Sequence, residues 1–79
     1  EDRRIVVYRL EDGIFATDNV CTHEFALLSE GWLEGGTIEC PLHGALFDVR
    51  TGRVERGPAD CALKTYATKT DGARILCAL

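Results

Sequence analysis

Four turn dipeptides cut the chain into short strand-like runs, and this rhythm limits the possible folds more than any other feature. Asp12-Gly13 stands between RIVVYRL and IFATD, and Gly35-Gly36 separates WLE from TIEC. Thr51-Gly52 interrupts LFDVRTGRVE, and Asp71-Gly72 interrupts KTYATKTDGARILCAL. The runs are rich in β-branched and aromatic residues that suit a pleated surface, and each turn carries the glycine that a tight reversal uses. The pattern predicts antiparallel hairpins throughout and an all-β chain. Helical periodicity is weak and confined to HEFALLSEGW, where the glycine and the short length allow at most a turn within a loop. Gly57-Pro58-Ala59 breaks the strand pattern and reads as a further surface loop.

With 79 residues the chain makes one domain, of a size at which a hydrophobic core alone is marginal and a metal or disulfides often help. The 46% hydrophobic and 28% charged content excludes a disordered or fibrous class. A net charge of −4 argues against nucleic acid or an anionic membrane as partner, because an acidic protein gains no attraction from either. The longest apolar stretch, near Ile75 to Leu79, is far too short to cross a bilayer. Because the chain starts at Glu1 and runs almost directly into a strand, an N-terminal strand segment is expected to be missing.

The chain has two histidines and four cysteines, and both histidines lie beside a cysteine, in Cys21-x-His23 and Cys40-x-x-His43. A disulfide framework would not account for that neighbourhood. Residues 24–39 between the motifs are long enough for a hairpin that returns the second pair to the first, and each pair falls where a strand ends and a turn begins. Loop tips on a rigid sheet are good ligand carriers. Two thiolates and two imidazoles are able to hold tetrahedral zinc, although zinc fingers group cysteines in one pair and histidines in the other. Two irons bridged by two sulfides, one iron with sulfur ligands and its twin with nitrogen, call for two loops that each give one cysteine and one histidine.

CTH and CPLHG at this spacing, with LSEGWLEGGTIECPLHGALFDVRTG and the closing strands, resemble the Rieske-type 2Fe-2S proteins. The likeness is greatest to the small Rieske ferredoxins of bacterial aromatic-ring-hydroxylating dioxygenase systems. It implies a Rieske-type antiparallel β sandwich with a small cluster-binding subdomain formed by two ligand loops. Residues 1–79 would be a single domain, with the cluster-binding part at about residues 20–50. The cofactor implied is a Rieske-type 2Fe-2S cluster, with Cys21 and Cys40 on the inner iron and His23 and His43 on the outer one. Cys61 and Cys77 are left without a role, the former as a loop or edge residue and the latter as a small buried hydrophobe.

The resemblance further implies a cytoplasmic one-electron carrier with no catalytic residues. Its partners would be a flavin-containing ferredoxin reductase and a terminal Rieske oxygenase that hydroxylates aromatic rings. High-potential Rieske proteins have two bracing cysteines where this chain has Ala26 and Leu42, and a serine and tyrosine where it has Ala45 and Phe47. With these absent, the expected potential is about −150 mV, the low end of the Rieske range. The docking face is expected around His23 and His43, with Glu24, Phe25, Leu42, Gly44, Ala45 and the Pro58 loop. Trp32 is expected to cover the cluster or fill the core, and Asp12, Glu30, Glu34 and Glu39 to be ordinary solvated surface. Other readings are the small Rieske subunit of an assimilatory nitrite reductase and the Rieske domain of an oxygenase subunit. Ala45-Leu46 stand where the latter usually has a Trp. A structural zinc module is the alternative of a different class.

Overall fold

The structure, a computed structural model, describes residues 4–22, 26–42, 44–57, 59 and 61–78. Strands β1 (Ile5–Leu10) and β2 (Gly13–Asp18) form an antiparallel hairpin that pairs Leu10 with Gly13 at its tip and Ile5 with Asp18 at its base. The short strand β7 (Thr65–Tyr66) joins the other side of β2, giving the order β1-β2-β7. A second sheet runs β3 (Trp32–Glu34), β4 (Thr37–Glu39), β5 (Leu46–Asp48) and β6 (Val54–Arg56), each strand antiparallel to the next. Strands β8 (Thr68–Asp71) and β9 (Arg74–Cys77) close the chain as a separate hairpin. The expected all-β reading holds, with turns at or beside all four dipeptides. The HEFALLSEGW segment contributes one 3-10 turn, Leu28–Glu30.

One core joins the two larger sheets. Tyr8 from β1 shares a buried cluster with Ile38 and Phe47 from the four-stranded sheet, together with Leu28, Val49, Leu63, Ala59 and two cysteines. Phe47 is fully buried and is the largest side chain with no exposure, so its burial alone is worth roughly 2 to 3 kcal/mol. Arg50 ties the hairpin tips of the two sheets on the outside. Its guanidinium donates to both carboxylate oxygens of Asp12, at 3.0 and 2.8 Å, and stacks over Phe15. The Asp12 carboxyl is thereby held below the usual carboxylate range, and this acid is an ion-pair partner rather than plain solvated surface.

Trp32 and Cys77 also differ from expectation. Trp32 is 62% exposed. It opens the edge strand of its sheet and shares the outward face with its pairing partner Glu39, while Ile38 turns inward, so alternation directs the indole to solvent. Cys77 is only half-buried, because the hairpin β8-β9 is exposed along most of its length.

Thr17 is fully buried, and its hydroxyl donates to the Asp18 carbonyl at 2.8 Å, which leaves its oxygen to accept from Tyr8 Oη at 2.9 Å. Burial raises the Tyr8 phenol above its ordinary value. The folded chain therefore holds the phenolic proton more tightly than the unfolded chain does. Stability is unaffected below the unfolded value of about 10 and declines as pH rises past it. Thermal unfolding of the native protein is expected to drop more steeply above about pH 10 than that of Tyr8→Phe. Equal slopes would remove this role for Tyr8.

Candidate metal centre

Two segments, each led by a cysteine, follow the ends of β2 and β4 and are closed in the same way at their bases. The first, residues 21–26, is closed by a bridge between Val20 and Leu27, and the second, residues 40–45, by the pairing of Glu39 with Leu46. In each, the leading cysteine donates its backbone N–H to the carbonyl five residues on. Cys21 reaches Ala26 at 2.9 Å and Cys40 reaches Ala45 at 2.8 Å. A repeat in the sequence foreshadows this, since CTHEFAL and CPLHGAL both read cysteine, four residues, Ala-Leu. Cysteine and histidine spacing alone passes over it.

Both leading cysteines are buried, Cys21 at 4% and Cys40 at 0% exposure, in the one cluster that also holds Ala45, Phe47, Leu28 and Ala59. The fold thus brings together two thiols that are nineteen positions apart in the chain. His23 and His43, the other half of the expected set, lie outside the described residues, as do Glu24, Phe25 and Pro58 of the expected docking face. Among the described residues no group of three or more potential ligands converges. Leu42 is exposed and Gly44 half-buried, but Ala45 is completely buried, which corrects its place on a docking face. The closing hydrogen bond to Cys40 draws Ala45 down into the core.

Several residues that hold the loops were not picked out by motif. Asn19 accepts from the Ser29 N–H at 2.7 Å through its side-chain oxygen and donates to Ser29 Oγ at 3.0 Å. Its backbone carbonyl takes the Leu28 N–H at 2.7 Å, so one residue anchors the base of the first loop to the 3-10 turn. The Thr22 hydroxyl donates to the Cys61 carbonyl at 2.6 Å, fastening the first loop to the segment beyond β6. That segment also inserts Ala59, 5% exposed, into the cluster beside the cysteines, so the expected surface loop is in part core. Arg56 donates to the Gly44 carbonyl at 3.2 Å and supports the second loop. Cys61 is exposed and Cys77 half-buried, and neither belongs to the buried cluster.

Comparison with known proteins follows the same lines. Residues 1–67 match the Rieske [2Fe-2S] domain family. The chain is 47% identical over 76 residues to the ferredoxin component of the naphthalene 1,2-dioxygenase system of Pseudomonas aeruginosa, covering 96% of this chain and 73% of that protein. It is 46% identical over 70 residues to the ferredoxin component of the 2,4-dinitrotoluene dioxygenase system of Burkholderia sp. (strain RASC), covering 89% of this chain and 67% of that one. Among solved structures, Sphingomonas yanoikuyae B1 ferredoxin superposes with a TM-score of 0.91 at 36% identity, over 95% of this chain and 74% of that one. A chain in the complex of reduced oxygenase and oxidized ferredoxin of carbazole 1,9a-dioxygenase superposes with a TM-score of 0.88 at 34% identity, over 99% of this chain and 91% of that chain.

Proposed function

Because the chain belongs to the Rieske [2Fe-2S] domain family, we propose that it is the one-electron carrier of an aromatic-ring dioxygenase system. It takes electrons from a flavin-containing ferredoxin reductase and passes them to a terminal oxygenase, and transforms no substrate itself. The observation that carries this reading is the 47% identity, over 96% of the chain, to a ferredoxin component of such a system.

The residues present fit the cofactor of the family. A cluster with one sulfur-ligated iron needs two thiolates shielded from water on separate loops, and two buried cysteines leading two equivalent loops supply them. In this reading Cys21 and Cys40 hold the inner iron, and His23 and His43, from the same loops, hold the outer one. When bound, the 2Fe-2S cluster supplies a one-electron couple. The chain's own residues shape it. Leu28, Ile38, Phe47 and Ala59 exclude water around the thiols, and the Asn19, Thr22 and Arg56 hydrogen bonds keep the two loops in register.

Ala45 and Phe47 are both completely buried and offer no hydroxyl beside the cysteines, which favours a potential near the low end of the Rieske range. Residues 1–79 act as one domain in this reading, with the cluster-binding part at about residues 20–50, since the shared core draws on residues from Tyr8 to Leu63. No helix among the described residues is long and apolar enough to cross a membrane, and a cytoplasmic location belongs to the same proposal.

The test is reconstitution. The cluster-loaded protein, mixed with the reductase and oxygenase components of a naphthalene 1,2-dioxygenase system, is expected to restore aromatic hydroxylation at catalytic amounts and to titrate at about −150 mV. A protein that the reductase does not reduce, or a potential above about +100 mV, contradicts the reading.

A further inference from the structure

The outward face of the second sheet holds an unusual surface for so small a domain. Pairing sets Trp32, Glu39, Leu46 and Arg56 side by side across four strands, with Glu34 and Thr37 in the next row. These six residues line a groove of about 390 Å³. One wall is the 62% exposed indole, the floor includes Leu46, and Glu34 and Glu39 bring two carboxylates against the single guanidinium of Arg56. Two carboxylates against one guanidinium leave the groove acidic on balance, while the Arg56 guanidinium also donates to the Gly44 carbonyl.

An exposed aromatic face flanked by carboxylates has a definite complement. A lysine or arginine laid over the indole gains cation-π attraction there and meets the carboxylates at its charged end, while its alkyl stem covers the apolar floor. A second copy of this chain is a poor occupant, since its net charge of −4 opposes approach to an acidic groove. The groove also adjoins the second loop. Glu39 immediately precedes Cys40, Leu46 follows Ala45, and Arg56 bonds Gly44, so a protein seated in the groove rests against the loop that carries Cys40 and His43.

We propose that this groove is a docking site for the terminal oxygenase, which inserts an arginine or lysine between Trp32 and the Glu34 and Glu39 carboxylates. The proposal rests on the electron-carrier reading and deepens it by naming the surface and its complement. The oxygenase is favoured over the reductase because a similar chain is found in a solved oxygenase complex.

Binding of the cluster-loaded protein to the oxygenase component of a naphthalene 1,2-dioxygenase system tests this, alongside its rate of reduction by the reductase component. Trp32→Ala is expected to weaken oxygenase binding about 10-fold, with Trp32→Phe recovering most of the loss. Glu34→Gln should flatten the salt dependence of the same binding. Cluster absorbance, potential, melting temperature and the rate of reduction should stay at native values in all three. The proposal fails if Trp32→Ala binds the oxygenase as the native protein does, if only the reductase step slows, or if the variant weakens binding by losing its cluster or its fold. A native protein that the reductase does not reduce would sink the carrier reading, and the groove proposal with it, before any variant is compared.

Discussion

Replacing Gly31 by alanine is expected to lower the melting temperature by roughly 12 °C or more. Gly31 follows the 3-10 turn and lies directly under the strand that leads to Cys40. An added Cβ would sit 1.9 Å from the Glu39 carbonyl oxygen and 3.2 Å from Pro41 Cδ. The first neighbour is backbone and has no rotamer to turn aside, so strand β4 must move. Overpacking of this kind costs about 3 kcal/mol or more, against a total stability of about 4 to 12 kcal/mol for a chain of this size. The displaced segment carries Cys40, so cluster content should fall with stability. Gly52→Ala meets a comparable obstacle, with Cβ 2.1 Å from the Leu63 carbonyl oxygen and a φ of 80° that disfavours a side chain. Gly57→Ala is the control, since its Cβ would meet nothing closer than 3.8 Å. Calorimetry of the three loaded variants decides the matter, and a Gly31→Ala protein as stable as Gly57→Ala would show that β4 is not pinned as described.

Cys40→Ser is expected to abolish the visible absorbance of the purified protein, with iron content falling to background, whereas Cys61→Ser should leave both unchanged. The contrast follows from position. Cys40 is wholly buried at the head of the proposed ligand loop, where a serine would offer the iron a harder, far less acidic hydroxyl in place of a soft thiolate. Cys61 is exposed, and its part in the loops is played by its backbone carbonyl, which accepts from Thr22 whatever its side chain is. Iron analysis and absorbance spectra of both variants test this directly. Iron retained by Cys40→Ser at native levels would remove Cys40 from the ligand set.

The hairpins were legible because their signals are local. Asp12-Gly13 and Gly35-Gly36 sit at or beside tight reversals between runs of β-branched and aromatic residues, and a tight reversal leaves little choice of partner strand. The family was legible for another reason, since the two cysteine and histidine motifs combine rare residue types that chance seldom groups. Contacts between remote residues were not legible. Thr22 meets Cys61 across 39 positions, and Arg50 meets Asp12 across 38, with no pattern in either neighbourhood to announce the pairing. Trp32 was misread because a large aromatic is usually buried, and only the strand register shows that its face is the outer one. Ala45 was misplaced in the opposite sense. It lies one residue past Gly44 in the loop, yet the hydrogen bond from Cys40 closes the loop there and buries it.

The central claim is that two thiols within the core and two imidazoles from the same loops together hold one two-iron centre. Pulsed electron paramagnetic resonance of the reduced protein, with iron and acid-labile sulfide measured on the same sample, tests it most directly. The account predicts equal amounts of iron and sulfide, two of each per chain, and hyperfine coupling from two imidazole nitrogens that disappears when His23 and His43 are replaced. Zinc without sulfide, or a reduced centre with no nitrogen coupling, would contradict it.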